Sequence, residues 1–128
     1  ESPAHAYCYK HQCEMTSLKV AEYLELKPNT YSTIFQSRVS IIGQWLRPYT
    51  DKTIEAFAKN GAKELAIATP SFVSDCLETL EEIGMEATED FKDNGGKHLH
   101  VIPCINDRDD WVKVLSRWID EWALNKSV

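Results

Sequence analysis

The sequence lacks several patterns that define common classes of protein. It contains no GxGxxG fingerprint and no Gly-rich phosphate loop, so a nucleotide ligand is not expected. No apolar run approaches the roughly 20 residues needed to span a bilayer, and no signal-peptide pattern opens the chain. No Ser-His-Asp or Cys-His arrangement has a recognisable catalytic spacing. The length of 128 residues favours one globular domain, residues 1–128.

The cysteines carry little sign of a metal cluster. No CxxC pair occurs among them, so an iron–sulfur cluster or a zinc site is not expected, and their spacing does not suggest a disulfide scaffold. Reduced thiols in a cytoplasmic protein, without a bound cofactor, are therefore the expectation. The four cysteines are Cys8, Cys13, Cys76 and Cys104.

Positive charge is scarce, and its distribution is informative. The net charge is −6, and nucleic-acid binding is not expected because phosphate neutralisation needs clustered Lys and Arg. No Lys or Arg occurs between Lys63 and Lys92. Inside that stretch Glu78, Glu82 and Glu86, which we call the glutamate ladder, recur four residues apart. Like charges at this spacing each cost a helix roughly 0.2–0.5 kcal/mol, so the ladder is either a solvated acidic face or a site whose partner is a cation or a proton.

Helical and extended patterns alternate along the chain. Apolar spacing and turn residues predict helices over 7–26, 51–60, 74–93 and 109–124, with strands over 31–36, 63–69 and 97–103. This order calls for a parallel sheet with right-handed crossovers, that is, an α/β fold. In such sheets ligands lie beyond the carboxyl ends of the strands. The loop after Gln36, the turn at 70–72 and the segment around Asn106 are therefore predicted to share one rim with the start of the acidic helix.

The long acidic helix should have one apolar face. Ser74 is its expected N-cap, because its hydroxyl can accept a first-turn N–H. The residues expected to face the core are Leu77, Leu80, Gly84, Ala87 and Phe91.

Three other features allow alternative interpretations. His98 and His100 alternate along a strand and should point to one face, as a metal pair or as structural histidines. The apolar loop 37–50 either belongs to a site or folds back onto the core. The last helix has an apolar side that is either core or a subunit or domain interface. That side consists of Trp111, Leu115, Trp118, Ile119 and Trp122.

Several stretches resemble the C-terminal part of the ferrochelatase family. They are YKHQC at 9–13, FQSR at 35–38, WLRPYTD at 45–51, SFVSDCLETLEEI at 71–83 and NGGKHLHVIPCIND at 94–107. The resemblance covers nearly the whole chain. It implies a three-layer αβα, chelatase-like (Rossmann-like) domain with a short parallel sheet, whose N-terminal counterpart is absent.

The resemblance also implies roles for individual residues. Glu78 matches the family's catalytic and metal-site glutamate. Glu82 and Glu86 match the acidic line that carries iron in or protons out, on a helix that often contains a π-turn. The implied porphyrin-binding residues are Gln36, Ser37 and Trp45, the last on the lip of the pocket.

The function implied is insertion of ferrous iron into a porphyrin, protoporphyrin IX, to form haem, which is a lyase reaction. The family's essential histidine lies in a Ser-x-His-Gly motif upstream of this chain, and neither His5 nor His11 is followed by Gly. The isolated chain is therefore expected to be inactive. Its expected partners are the porphyrin, ferrous iron and the N-terminal half of the same protein, and peripheral membrane contact is left open. The alternatives are a non-catalytic metal or tetrapyrrole carrier or sensor, and a structural interaction domain.

Overall fold

The computed structural model describes residues 7–36 and 45–125 of the chain. Over these residues helices alternate with short strands, as predicted for an α/β fold. The elements are α1 (Tyr9–Tyr23), α2 (Thr50–Lys59), β1 (Glu64–Ile67), a π-helix (Glu78–Glu86) that continues into α3 (Ala87–Asp93), β2 (His98–Val101) and α4 (Asp109–Asn125).

The sheet consists of two parallel strands among the described residues. β1 pairs with β2 so that Glu64 lies beside His98 and Ile67 beside Val101. Because side chains alternate along a strand, Ile67 and Leu99 enter the core while Glu64 and His98 stay exposed. A parallel pair needs a crossover connection, and the π-helix with α3 supplies it between the two strands.

The strand predicted over 31–36 is wrong. Only Phe35 pairs, in a single parallel bridge with Tyr49. Its N–H donates to the Pro48 carbonyl at 2.9 Å, and its carbonyl accepts from Thr50 N–H at 3.1 Å. A β-rich composition yields a strand only where a neighbouring edge supplies hydrogen-bond partners, and in the described part of the chain that edge is one residue long.

The core lies between the sheet, α2 and the helix that begins with the π-helix. Phe91 is 0% exposed and Ile54 is almost fully buried. Gly96 approaches the ring of Phe91 so closely that a Cβ there would lie 2.3 Å from it. The cluster of buried residues consists of Ile54, Ala58, Ile67, Ile83, Ala87, Phe91 and Leu99.

The face of the acidic helix differs from the prediction at its start, whereas Ala87 and Phe91 are buried as predicted. Leu77 and Leu80 are 69% and 59% exposed, whereas Thr79 and Ile83 are buried. The predicted pattern assumed the α-helical spacing of three and four. The π-helix, with its wider i→i+5 turn, aligns residues at a uniform spacing of four, so that the buried stripe continues into Ala87 of α3.

The predicted N-cap at Ser74 is also wrong. The π-helix starts after Leu77 without a side-chain cap of the usual kind. The hydroxyl of Thr79 instead accepts the N–H of Cys76 at 2.9 Å. It also bonds the carboxylate of Asp75 at 3.0 Å.

The first and last helices are peripheral. α1 is shorter than predicted, and Ala21 is its one buried residue among those described. α4 matches its predicted length but has no buried residue. Its apolar side is therefore not core in this chain, although Trp111 and Trp118 pack edge to face with ring centroids 5.9 Å apart. Within the described ranges, no helix combines the length and apolarity that crossing a bilayer requires.

Candidate active site

The glutamate ladder lies on the π-helix, next to the buried stripe. Glu78 is the first residue of the π-helix and Glu86 the last. The ladder and the stripe that begins with Thr79 and Ile83 share the spacing of four. Each ladder carboxylate is therefore held at the margin of the core, with Glu82 partly buried and the two end members exposed. The π-turn implied by the resemblance is confirmed.

Gln36 and Glu82 meet, although they are 46 residues apart in the chain. The amide Nε2 of Gln36 donates to Oε2 of Glu82 at 2.5 Å. A hydrogen bond to an ionised carboxylate is about twice as strong as one between neutral groups. The Phe35 bridge fixes the segment that carries Gln36. Two residues predicted for the site are thus brought into contact, as expected if they share one rim.

The carboxylate of Glu78 is stabilised in its ionised form. A hydrogen bond from the Cys76 side chain, followed by one from its own backbone, lowers the pKa of Glu78 below its ordinary value. Hydrogen bonding to the charged form thus favours ionisation of this member of the ladder. No Lys or Arg among the described residues forms an ion pair with the ladder.

A polar tether fixes the turn that precedes the ladder. Asn106 Oδ1 accepts the N–H of Asp75 at 2.8 Å, and Asn106 Nδ2 donates to Asp75 Oδ2 at 2.7 Å. The turn after β2 is thereby joined to the start of the acidic helix, which confirms the predicted proximity of these two segments. The pairing itself was not predicted. Its sequence signal is an Asn in a turn, a residue type that tolerates the left-handed φ of +53° found at Asn106.

Asp75 should make the stability of the protein dependent on pH. Hydrogen bonds from Asn106 and then from Cys104 hold the pKa of Asp75 below its ordinary 3.8. A carboxyl whose folded-state pKa is lowered stabilises the protein above its unfolded pKa, and this contribution is lost as the pH falls through the folded-state pKa. We expect the free energy of unfolding to fall between about pH 5 and pH 2, and to fall less steeply in Asp75→Asn.

Urea unfolding at a series of pH values measures this difference. Asp93→Asn is the matched control, since Asp93 is an exposed carboxylate at the end of the same helix. Parallel pH curves for the wild-type protein and Asp75→Asn would contradict the expectation.

The other residues predicted for a site lie apart from the ladder in the sequence. Ser37 lies outside the described residues. Trp45 is 43% exposed. His98 and His100 share one face, as predicted, with ring centroids 6.1 Å apart.

These two histidines are paired with a carboxylate. His100 Nε2 lies 2.8 Å from Glu64 Oε2, and His98 Nε2 lies 4.0 Å from Glu64 Oε1. Across residues 7–36 and 45–125, no three His, Cys, Asp or Glu side chains are arranged to hold a metal ion together. The ladder is thus a row of separate carboxylates and not a closed chelate.

The ladder lies outside the two grooves beside β2. Two open grooves of about 640 and 430 Å³ flank β2 and the segment after it. Neither is lined by Glu78, Glu82 or Glu86.

Comparison with known proteins decides the family. The family model described as ferrochelatase matches residues 2–123. The chain belongs to the ferrochelatase family. Membership confirms the resemblance seen in the sequence, and the helices around a short parallel sheet are consistent with a chelatase-like αβα domain.

Individual ferrochelatases show how much of the family the chain represents. It is 48% identical over 111 residues to the ferrochelatase of Rhizobium johnstonii, covering 87% of this chain and 31% of that protein. It is 46% identical over 106 residues to that of Bdellovibrio bacteriovorus, covering 83% and 31%. For Legionella pneumophila (strain Lens) the identity is 42% over 114 residues, covering 89% and 34%. The chain therefore spans about a third of the length of these curated relatives.

Proposed function

We propose that this chain is the C-terminal domain of a ferrochelatase that inserts ferrous iron into protoporphyrin IX to form haem. The observation that supports the proposal best is the glutamate ladder itself. It is a row of carboxylates that no described Lys or Arg compensates, it follows a π-helix, and Gln36 anchors it at Glu82. Such a row has an electrostatic cost, and handling a divalent cation offsets it.

The reaction makes two demands that carboxylates can meet. Two pyrrole N–H protons must leave the porphyrin, and one Fe²⁺ must take their place, so that the total charge is unchanged. Glu78 is assigned as proton acceptor and metal ligand by its match to the family, and its lowered pKa keeps it ionised and therefore able to bind a cation. Glu82 and Glu86 are assigned to carry the iron substrate in or the protons out, since carboxylate oxygens suit hard cations. Gln36, Ser37 and Trp45 are assigned to the porphyrin.

The second wall of the site is proposed to come from the N-terminal half of the same polypeptide. The apolar side of α4 supports this, because Trp118, Ile119 and Trp122 are each more than half exposed and no residue of α4 is buried. A partner that covers this surface also completes the cleft and supplies the family's histidine.

A cytoplasmic location belongs to the same proposal. All four cysteines are free thiols, and Cys104 is buried. Free thiols are typical of reducing compartments.

The proposal predicts activity for the complete protein and none for the 128-residue chain. Protein expressed from the complete coding sequence should convert ferrous iron and protoporphyrin IX to haem, followed by the loss of porphyrin fluorescence. The chain alone should stay at the uncatalysed rate, because it lacks the proposed histidine and second wall. Activity of the chain alone would overturn the need for both. Binding of metal or porphyrin by the complete protein without turnover would instead favour the carrier or sensor.

A further inference from the structure

Glu78 begins a helix whose start needs external support. The π-helix lacks the usual side-chain cap, and the segment between β1 and the π-helix has no regular structure. A carboxylate on the first turn of such a helix is only as well placed as the turn before it. The position of Glu78 therefore depends on whatever fixes residues 73–76.

Asn106 makes four hydrogen bonds, three of which reach this turn. Its backbone N–H donates to the Val73 carbonyl at 2.9 Å. Its side-chain oxygen accepts from the Asp75 N–H at 2.8 Å. Its side-chain Nδ2 donates to Asp75 Oδ2 at 2.7 Å and to the Cys104 carbonyl at 3.3 Å. Both polar groups of the Asn106 side chain thus form hydrogen bonds, and two residues of the turn, Val73 and Asp75, are fixed by Asn106.

The contacts continue from Asp75 to Glu78. Thr79 Oγ1 donates to Asp75 Oδ1 at 3.0 Å and accepts the N–H of Cys76 at 2.9 Å. Cys76 lies only two residues before Glu78 in the chain, and the π-helix begins directly after Leu77. Hydrogen bonds therefore join a turn on the far side of β2 to residues just before and just after the first carboxylate of the ladder.

We propose that Asn106 is a positioning residue: through Asp75, Thr79 and Cys76 it fixes where the Glu78 carboxylate stands, and hence the rate of metal insertion. The inference rests on the proposed function, because it requires Glu78 to act in the reaction. Asn106 does not touch the porphyrin or the metal in this assignment. It acts only through the turn that it holds.

Asn106→Asp in the complete protein is the test. Asp keeps the size of the side chain and tolerates the left-handed backbone, but it replaces the Nδ2 donor with an oxygen that faces the Asp75 carboxylate. We expect kcat for iron insertion to fall about tenfold to a hundredfold, as misplacement of a reacting group does. KM for the porphyrin should stay within about twofold of the wild-type value, because the substitution removes no contact between the protein and the porphyrin.

The exchange of partners tests the contact itself. In Asn106→Asp/Asp75→Asn the donor moves to position 75 and the acceptor to position 106, so kcat should recover to within about threefold of wild type if the coupling is direct. Thr79→Val removes the next hydroxyl in the series with little change of shape, and it should also lower kcat without raising KM. Asn94→Asp is the matched control, because Asn94 Nδ2 bonds a backbone carbonyl at the other end of the same helix.

Hydrogen exchange of the Asp75 amide gives a readout that needs no activity. Loss of its protection in Asn106→Asp, with the predicted fall in kcat and its recovery in the double variant, supports the proposal. Loss of protection with an unchanged kcat would make Asn106 purely structural and overturn it. A fall in kcat that the double variant does not restore would also overturn it. If the wild-type complete protein inserts no metal, the proposed function fails and the catalytic part of this inference fails with it, while the exchange measurement still reports on the tether.

Discussion

Glu78→Gln in the complete protein is expected to lower kcat for iron insertion by about 100-fold or more, the usual scale for loss of a positioned acid–base group. Glutamine keeps the size of the side chain and accepts a hydrogen bond from Cys76. It cannot take up a pyrrole proton, and it offers no negative charge to the incoming cation. The measurement is the initial rate of metalloporphyrin formation at saturating porphyrin and iron.

Glu89→Gln is the matched control for this effect. Glu89 is exposed, lies on the α3 part of the same continuous helix and does not belong to the ladder. Its amide variant removes the same charge from the same helix, so a general loss of negative potential should affect both variants equally. We expect Glu89→Gln to retain nearly full activity. Equal losses in the two variants would contradict a positioned role for Glu78.

The pH dependence of the reaction gives a second criterion. The hydrogen bond from Cys76 lowers the pKa of Glu78, so its carboxylate should stay ionised to a lower pH than an ordinary glutamate. The acidic limb that this group contributes to the pH–rate profile should therefore lie below 4.5, the ordinary value. This limb should be missing from any residual activity of Glu78→Gln.

The parts of the fold with strong local signals were predicted well from the sequence. α2 has Asn60 as its C-cap, followed by Gly61 with φ of +95°, and α3 has Asn94 as its C-cap, followed by Gly95 with φ of +100°. Glycine adopts the left-handed conformation at low cost, so one or two residues in the sequence are enough to predict where a helix ends. The parallel pairing of β1 and β2 followed from the alternation of elements alone.

Two features depend on interactions that no local pattern encodes. The strand over 31–36 requires a neighbouring edge, and only the Phe35 bridge provides one in the described part of the chain. The π-helix changes the spacing of the buried face, so Leu77 and Leu80 turn outward although their α-helical spacing predicted burial. Tertiary context overrides local preference in both cases.

The candidate site was also predictable only in part. The ladder could be found from sequence because the absence of Lys and Arg over almost thirty residues is visible there. For Gln36 and Glu82, the sequence predicted only that their segments lie on the same rim. It did not predict their hydrogen bond, because that bond depends on the orientation of two side chains that are 46 residues apart in the chain. The Asn106 tether was missed, because Asn in a turn has a sufficient local explanation.

Phe91→Ala is expected to have the largest effect on stability, with a loss of about 3–5 kcal/mol in the free energy of unfolding. Phe91 is 0% exposed and lies at the centre of the core cluster. Its ring packs against the backbone at Gly96, where a Cβ would come within 2.3 Å of it. Because Gly96 has no side chain and the core is closely packed, little can move in to fill the cavity that the alanine leaves.

Urea unfolding of the 128-residue chain measures this loss, and Phe57→Ala is its matched control. Phe57 has the same side chain on α2, but it is 38% exposed, so its truncation should cost only about 1 kcal/mol. Similar losses for the two variants would show that the packing around Phe91 does not govern the stability of the core. Glu78→Gln, a change at an exposed carboxylate, should barely alter the unfolding curve even though it nearly abolishes turnover. The two variants therefore separate the residue that holds the helix in place from the residue that the helix presents to the reaction.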